Sequence, residues 1–114
     1  MKRIILLGLL LATPVATPAF AHARLVSSDP AANAKVKSPG QIKLHFSESL
    51  EPAFSSADLT DAGAKTVPVS KSVGGDTITL LPLTLKPGAY KVTWHSVGQD
   101  THRLAGSFGF TVIP

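Results

Sequence analysis

Gln41-Ile42-Lys43-Leu44-His45-Phe46 alternates polar and apolar residues with a period of two. Successive side chains of a strand point to opposite faces, so Ile42, Leu44 and Phe46 share one face and Lys43 and His45 the other. That is the signature of a half-buried β-strand, and the pattern recurs on both sides of it. Toward the C-terminus, Tyr90, Val92 and Trp94 alternate with Lys91, Thr93 and His95 after the turn Lys86-Pro87-Gly88. Gly106 to Ile113 follows, with Phe108, Phe110 and Val112 on one face. Thr77 to Leu81 also reads as a strand, entered from the turn Gly74-Gly75-Asp76; Ala57 to Asp61 and Thr66 to Ser70 are weaker ones joined at Asp61-Ala62-Gly63. Toward the N-terminus, Leu25 to Asp29 reads as an edge strand stopped by Pro30, separated from Gln41 by a polar connector over 31–40.

About seven short strands with Gly/Pro turns and no helical period argue for an all-β, Greek-key β-sandwich or barrel. Trp94, Phe46, Phe108 and Phe110 are its expected core. Aromatic residues on the apolar phase of strands are ordinarily packing rather than a binding platform.

The chain opens with Lys2 and Arg3, an apolar run over 4–12, and the small-x-small pattern Ala19-Phe20-Ala21. This has the layout of a signal peptide over residues 1–21, too short in its apolar part to span a bilayer, which takes about 20 residues. Export across a membrane is the expectation. The remaining 93 of the 114 residues, 22–114, make one small domain. Cleavage after Ala21 makes His22 the new terminus, although Ala21-His22-Ala23 also fits the pattern, and a cut there would discard His22.

The formal net charge of the whole chain is +4, and loss of Lys2 and Arg3 lowers it to +2 with nine basic residues against seven acidic. The basic residues are scattered, which argues against a nucleic-acid partner. Cysteine is absent, and the sole methionine is Met1. Disulfides, thiolate sites and cysteine nucleophiles are thereby excluded, and a metal site in the exported chain has only nitrogen and oxygen donors.

Two such donors stand on the loop Gly98-Gln99-Asp100-Thr101-His102. On an extended backbone, Asp100 and His102 project to the same side and converge on one ion. Alone, an Asp-x-His pair is equally a hydrogen-bonded or solvated loop pair. A terminal His22 changes the balance, because its amine and ring nitrogen close a chelate. In a sandwich the first edge strand and a loop before the last strand meet at one end. If they do so here, the amine and ring of His22, the ring of His102 and the Asp100 carboxylate give three nitrogens and one oxygen. That set suits tetragonal Cu(II), with zinc as the competitor. Glu48, on the loop leaving the first strong strand, is a solvated acid or a further contact. His45 and His95 fall on outward phases and read as surface imidazoles.

His22, Leu25-Val26-Ser27-Ser28 with Pro30, Leu44-His45-Phe46-Ser47-Glu48, Gly88-x-Tyr90-Lys91-Val92-x-Trp94, Asp100-Thr101-His102 and Gly106-Ser107-Phe108 together resemble the CopC family of periplasmic copper-binding proteins. The resemblance covers essentially the whole mature chain. It implies a cupredoxin-like, immunoglobulin-like Greek-key β-barrel binding Cu(II) through its terminal His and an Asp-x-His loop, for copper homeostasis and resistance. Carried over, the metal ligands are His22, Asp100 and His102, with Glu48 at the position of a carboxylate near copper in some members. Some members also hold Cu(I) on a Met-rich loop; the corresponding region here, about 60–71, has no Met, so one Cu(II) per mature chain and no Cu(I) site are expected. The resemblance also implies a monomer that binds copper ion and works with an inner-membrane copper transporter of the CopD type. Two other readings remain open. One is a copper monooxygenase-like enzyme, because an amine with two imidazoles resembles such sites; Asp100 in the copper shell argues against the open position that oxygen chemistry needs. The other is a metal-free immunoglobulin-like interaction domain, which follows if His22 is trimmed away.

Overall fold

A computed structural model describes residues 22–114; the expected signal peptide lies outside the described residues. Among the described residues nine strands form two sheets: β1 (Leu25–Asp29), β2 (Lys35–Val36), β3 (Ile42–Phe46), β4 (Ser56–Asp61), β5 (Thr66–Val67), β6 (Val69–Gly74), β7 (Thr77–Pro82), β8 (Gly88–Val97) and β9 (Arg103–Val112). One sheet has the order β1-β3-β7-β6 and the other β2-β9-β8-β4-β5. Their facing surfaces enclose the core, giving the expected Greek-key sandwich. Among the described residues the sole helical element is a 3-10 turn, Pro52–Phe54.

Alternation explains which faces meet. Along β3, Ile42, Leu44 and Phe46 are buried and Lys43 and His45 exposed. From the opposite sheet Ala57, Leu59, Tyr90, Val92, Trp94, Phe110 and Val112 complete the core. Trp94 meets Phe46 edge-on at 5.2 Å between ring centroids, and Tyr90 stacks on Phe110 at 5.8 Å. Phe108, expected in the core, packs against it only partly buried. The indole needs space on the neighbouring strand: Trp94 is opposite Gly106, where an added Cβ would fall 2.6 Å from the ring.

Three expectations need correction. The strand expected over 66–70 is two strands, because Pro68 lacks the N–H that a continuous ladder requires; β5 pairs with β4 in one sheet and β6 with β7 in the other. The connector over 31–40 contains β2, which pairs parallel with β9. The last strand begins at Arg103 rather than Gly106. On the loop after β3, Leu50 is buried and bridges to Gly98. The two-residue strands are too short to show any period, which is why about seven strands were legible and nine are present.

Ends of four elements gather at one end of the sandwich: the start of β1, the end of β3, the end of β8 and the start of β9. Residue Val26 is a bulge in β1, where pairing steps from Leu25↔Phe46 to Ser27↔His45.

Candidate metal centre

The loop 98–102 is the hairpin connection between β8 and β9, and its root is pinned from the segment after β3. The Glu51 N–H donates to the Val97 carbonyl, at 2.8 Å, and the Val97 N–H donates to the buried Ser55 Oγ, at 3.0 Å. Within the loop the Thr101 N–H donates to the Gly98 carbonyl, at 3.0 Å. Thr101 takes φ 65°, a left-handed conformation rare for a β-branched residue. The loop is therefore not extended, and Asp100 and His102 do not converge by strand geometry. They converge because the Asp100 carboxylate folds back on its own loop: the His102 N–H donates to Asp100 Oδ1, at 3.1 Å, and His102 Nδ1 lies 3.3 Å from Oδ2.

His22, 78 positions earlier in sequence, reaches the same carboxylate, its Nδ1 lying 2.7 Å from Asp100 Oδ2. The two imidazoles stand edge to face, 4.8 Å between centroids with planes at 89°. One donor atom from each of His22, Asp100 and His102 lies within 4.8 Å of the others. Donors about 2 Å from a small divalent ion on adjacent corners are separated by about 2.8 Å, so the Nδ1–Oδ2 spacing fits two such corners. The group is shielded on one side and open on the other, with side-chain exposure of 19% for Asp100 and 63% for His102.

Burial by itself would raise the Asp100 carboxyl pKa. The His102 N–H, the His102 ring, the His22 ring and the charge on His22 outweigh it, and the group lies below the ordinary carboxylate value. Asp100 is thus an anion that accepts from several directions, which is the state a metal needs.

The remaining candidates stand apart from this group. Glu48 is exposed on the loop after β3 and is not among the three converging residues. His45 Nδ1 is 3.4 Å from Asp76 Oδ1 on the outer face of β3, as a surface pair. His95 lies on the outer face of β8; its pKa is lowered by burial first, then by Arg103, with Asp58 opposing and Lys71 adding.

Two residues that sequence reasoning missed shape the entry of the chain. Ser47 Oγ donates to the His22 carbonyl and accepts from the Arg24 N–H, both at 2.9 Å. Ser96 Oγ, fully buried, donates to the Ala23 carbonyl at 2.6 Å. Ser96 carried a signal, being the one hydroxyl on the inward phase that Tyr90, Val92 and Trp94 define. Ser47 carried none.

Residues 25–113 match the family model of the CopC domain. Protein YobA from Escherichia coli (strain K12) is 40% identical over 110 residues, covering 90% of this chain and 89% of that protein. Copper resistance protein C from Escherichia coli is 39% identical over 109 residues, covering 86% of each. The crystal structure of PcoC, a methionine-rich copper resistance protein from Escherichia coli, superposes with a TM-score of 0.76 at 36% identity, covering 82% of this chain and all of that one.

Proposed function

This chain belongs to the CopC family, and from that membership we propose that it is a periplasmic protein that binds one Cu(II) through His22, Asp100 and His102 and sequesters or delivers it in copper homeostasis and resistance. Two of the relatives it resembles are described as copper resistance proteins. The observation that carries the Cu(II) site is the meeting of His22 with Asp100 and His102, from opposite ends of the domain, within 4.8 Å. Hydrogen bonds alone do not require a second imidazole on the carboxylate that already serves the first; a cation shared by all three makes use of both.

After cleavage behind Ala21, the His22 amine and ring would chelate the ion, with the Asp100 carboxylate as its anionic donor. Burial of Ala23 and its bond from Ser96 support that cut, because a cut after Ala23 would remove a residue the core encloses. The absence of Met beyond Met1, set against a relative described as methionine rich, supports a site for Cu(II) and none for Cu(I). Glu48 is an outer contact at most. With Asp100 in the copper shell, the arrangement holds the ion rather than opening a position for oxygen chemistry, so the protein is not an enzyme. The exposed ring of His102 is where an incoming donor displaces a ligand. We assign that exchange to a monomer working with an inner-membrane transporter of the CopD type.

The deciding experiment is native mass spectrometry of the exported chain after excess Cu(II) and removal of loose metal. A mass beginning at His22 with one retained copper is expected. A mass beginning at Arg24, or a His22-initiated chain that keeps no copper, overturns the reading.

A further inference from the structure

We propose that Ser47 and Ser96 are positioning residues of the copper site: two hydroxyls, one from each sheet, that hold the backbone of residues 22–24 so that the ligands of His22 are in place before the ion arrives. The proposal rests on the reading of His22 as a ligand.

The need for such a device follows from the position of His22. A chain that begins at this residue ends in its own ligand, and terminal residues fray unless they are tied down. Every degree of freedom frozen on binding is subtracted from affinity. Ladder pairing does not solve the problem, since β1 begins only at Leu25.

Ser47 and Ser96 bond directly to this stretch of backbone. The His22 carbonyl accepts from Ser47 Oγ, and Ser47 Oγ in turn accepts from the Arg24 N–H. The Arg24 carbonyl accepts from the Ser47 N–H at 2.8 Å. Between these, the Ala23 carbonyl accepts from Ser96 Oγ inside the core. Three successive carbonyls and one N–H are therefore held by two serines. Ser47 directly follows β3 of the four-stranded sheet, and Ser96 is the penultimate residue of β8 in the five-stranded one. The His22 backbone is located relative to both sheets. Ser96 also precedes the loop that presents Asp100 and His102 by one residue, so a single strand end locates all three ligands.

The test uses the mature chain starting at His22, with Cu(II) affinity measured by chelator competition and the bound ion examined by electron paramagnetic resonance. Ser47→Ala and Ser96→Ala each leave all proposed ligands intact. Each is expected to weaken Cu(II) binding by about 10- to 100-fold, the scale for groups that orient ligands, and to change the nitrogen hyperfine pattern. A role in fold stability alone would lower the melting temperature without altering the spectrum of the bound ion. Ser47→Thr, which keeps a hydroxyl at a half-buried position, is expected to restore both affinity and spectrum. Should Ser96→Ala fail to fold, the Ser47 pair decides. Parent affinity and spectrum in Ser47→Ala, or no recovery in Ser47→Thr, overturns the clamp. His22→Ala separates the two claims: loss of copper there with no effect of the serines removes only the clamp, whereas full retention there removes the metal reading as well.

Discussion

Asp100 is the residue on which the site turns, because its carboxylate touches both imidazoles. Asp100→Asn keeps the size and removes the anion; it is expected to reduce Cu(II) affinity by at least about 100-fold, read by chelator competition, while the fold persists by circular dichroism. Binding requires nitrogen donors free of protons, so protons compete with the metal for them, and a free terminal amine ordinarily holds its proton below about 7.7–8.0. Titration of affinity from pH 8 to pH 5 should therefore show a steady decline. Stability of the metal-free protein has its own pH dependence. The folded-state pKa of Asp100 is depressed below 3.8, so its contribution is complete above that value and is lost as the pH falls through the lower one. His95 is also depressed, from 6.5, since burial and Arg103 disfavour the charged ring. Its contribution is complete above 6.5 and declines as the pH falls below it; His95→Gln should flatten urea-unfolding stability across that window. The sequence shows Asp100 and His102 as a pair that would converge on an extended backbone. Thr101 at φ 65° shows a folded loop instead, and no residue type in the loop announces that conformation.

The β8–β9 hairpin is the longest element of the fold and carries both the core indole and the loop ligands. Its close packing depends on Gly106, beneath the Trp94 ring. Because Trp94 is buried against Phe46, the ring has little room to retreat, and Gly106→Ala should destabilise the domain by about 1–3 kcal/mol in urea unfolding, the usual cost of overpacking. The same alternation that made β3, β7, β8 and most of β9 legible is absent from β2 and β5, each of two residues. Those short strands exist because a neighbouring ladder receives them, which is a tertiary fact. Pro68 did carry the information that one strand ends and another begins, yet within a weak period it reads equally as an edge residue.

At the scale of the whole molecule, the proposed ion bridges the chain entry, bound to Ser47 and Ser96, to the loop that joins the last two strands. Anything that binds only the folded form stabilises it by mass action, about 2.7 kcal/mol at a free concentration one hundred times Kd. For a domain this small that is a rise of roughly 10 °C or more in Tm, expected with Cu(II) and reversed by a chelator in differential scanning calorimetry. A chain beginning at Arg24 should show no such rise and a lower Tm in the metal-free state, because Ala23 leaves the core and Ser96 loses its acceptor. Much of this architecture was determined by the sequence alone. Period-two alternation specifies strands and their buried faces locally, and the lack of Cys, and of Met beyond Met1, limits the metal chemistry by composition. Local pattern does not encode distance between segments. That His22 lies 2.7 Å from Asp100 across 78 positions, that Ser47 and Ser96 hold the chain entry, and that Glu48 stands outside the converging group were decided only when two sheets packed and brought four strand ends to one place. Long-range contacts are products of that packing, and no single stretch of sequence contains them.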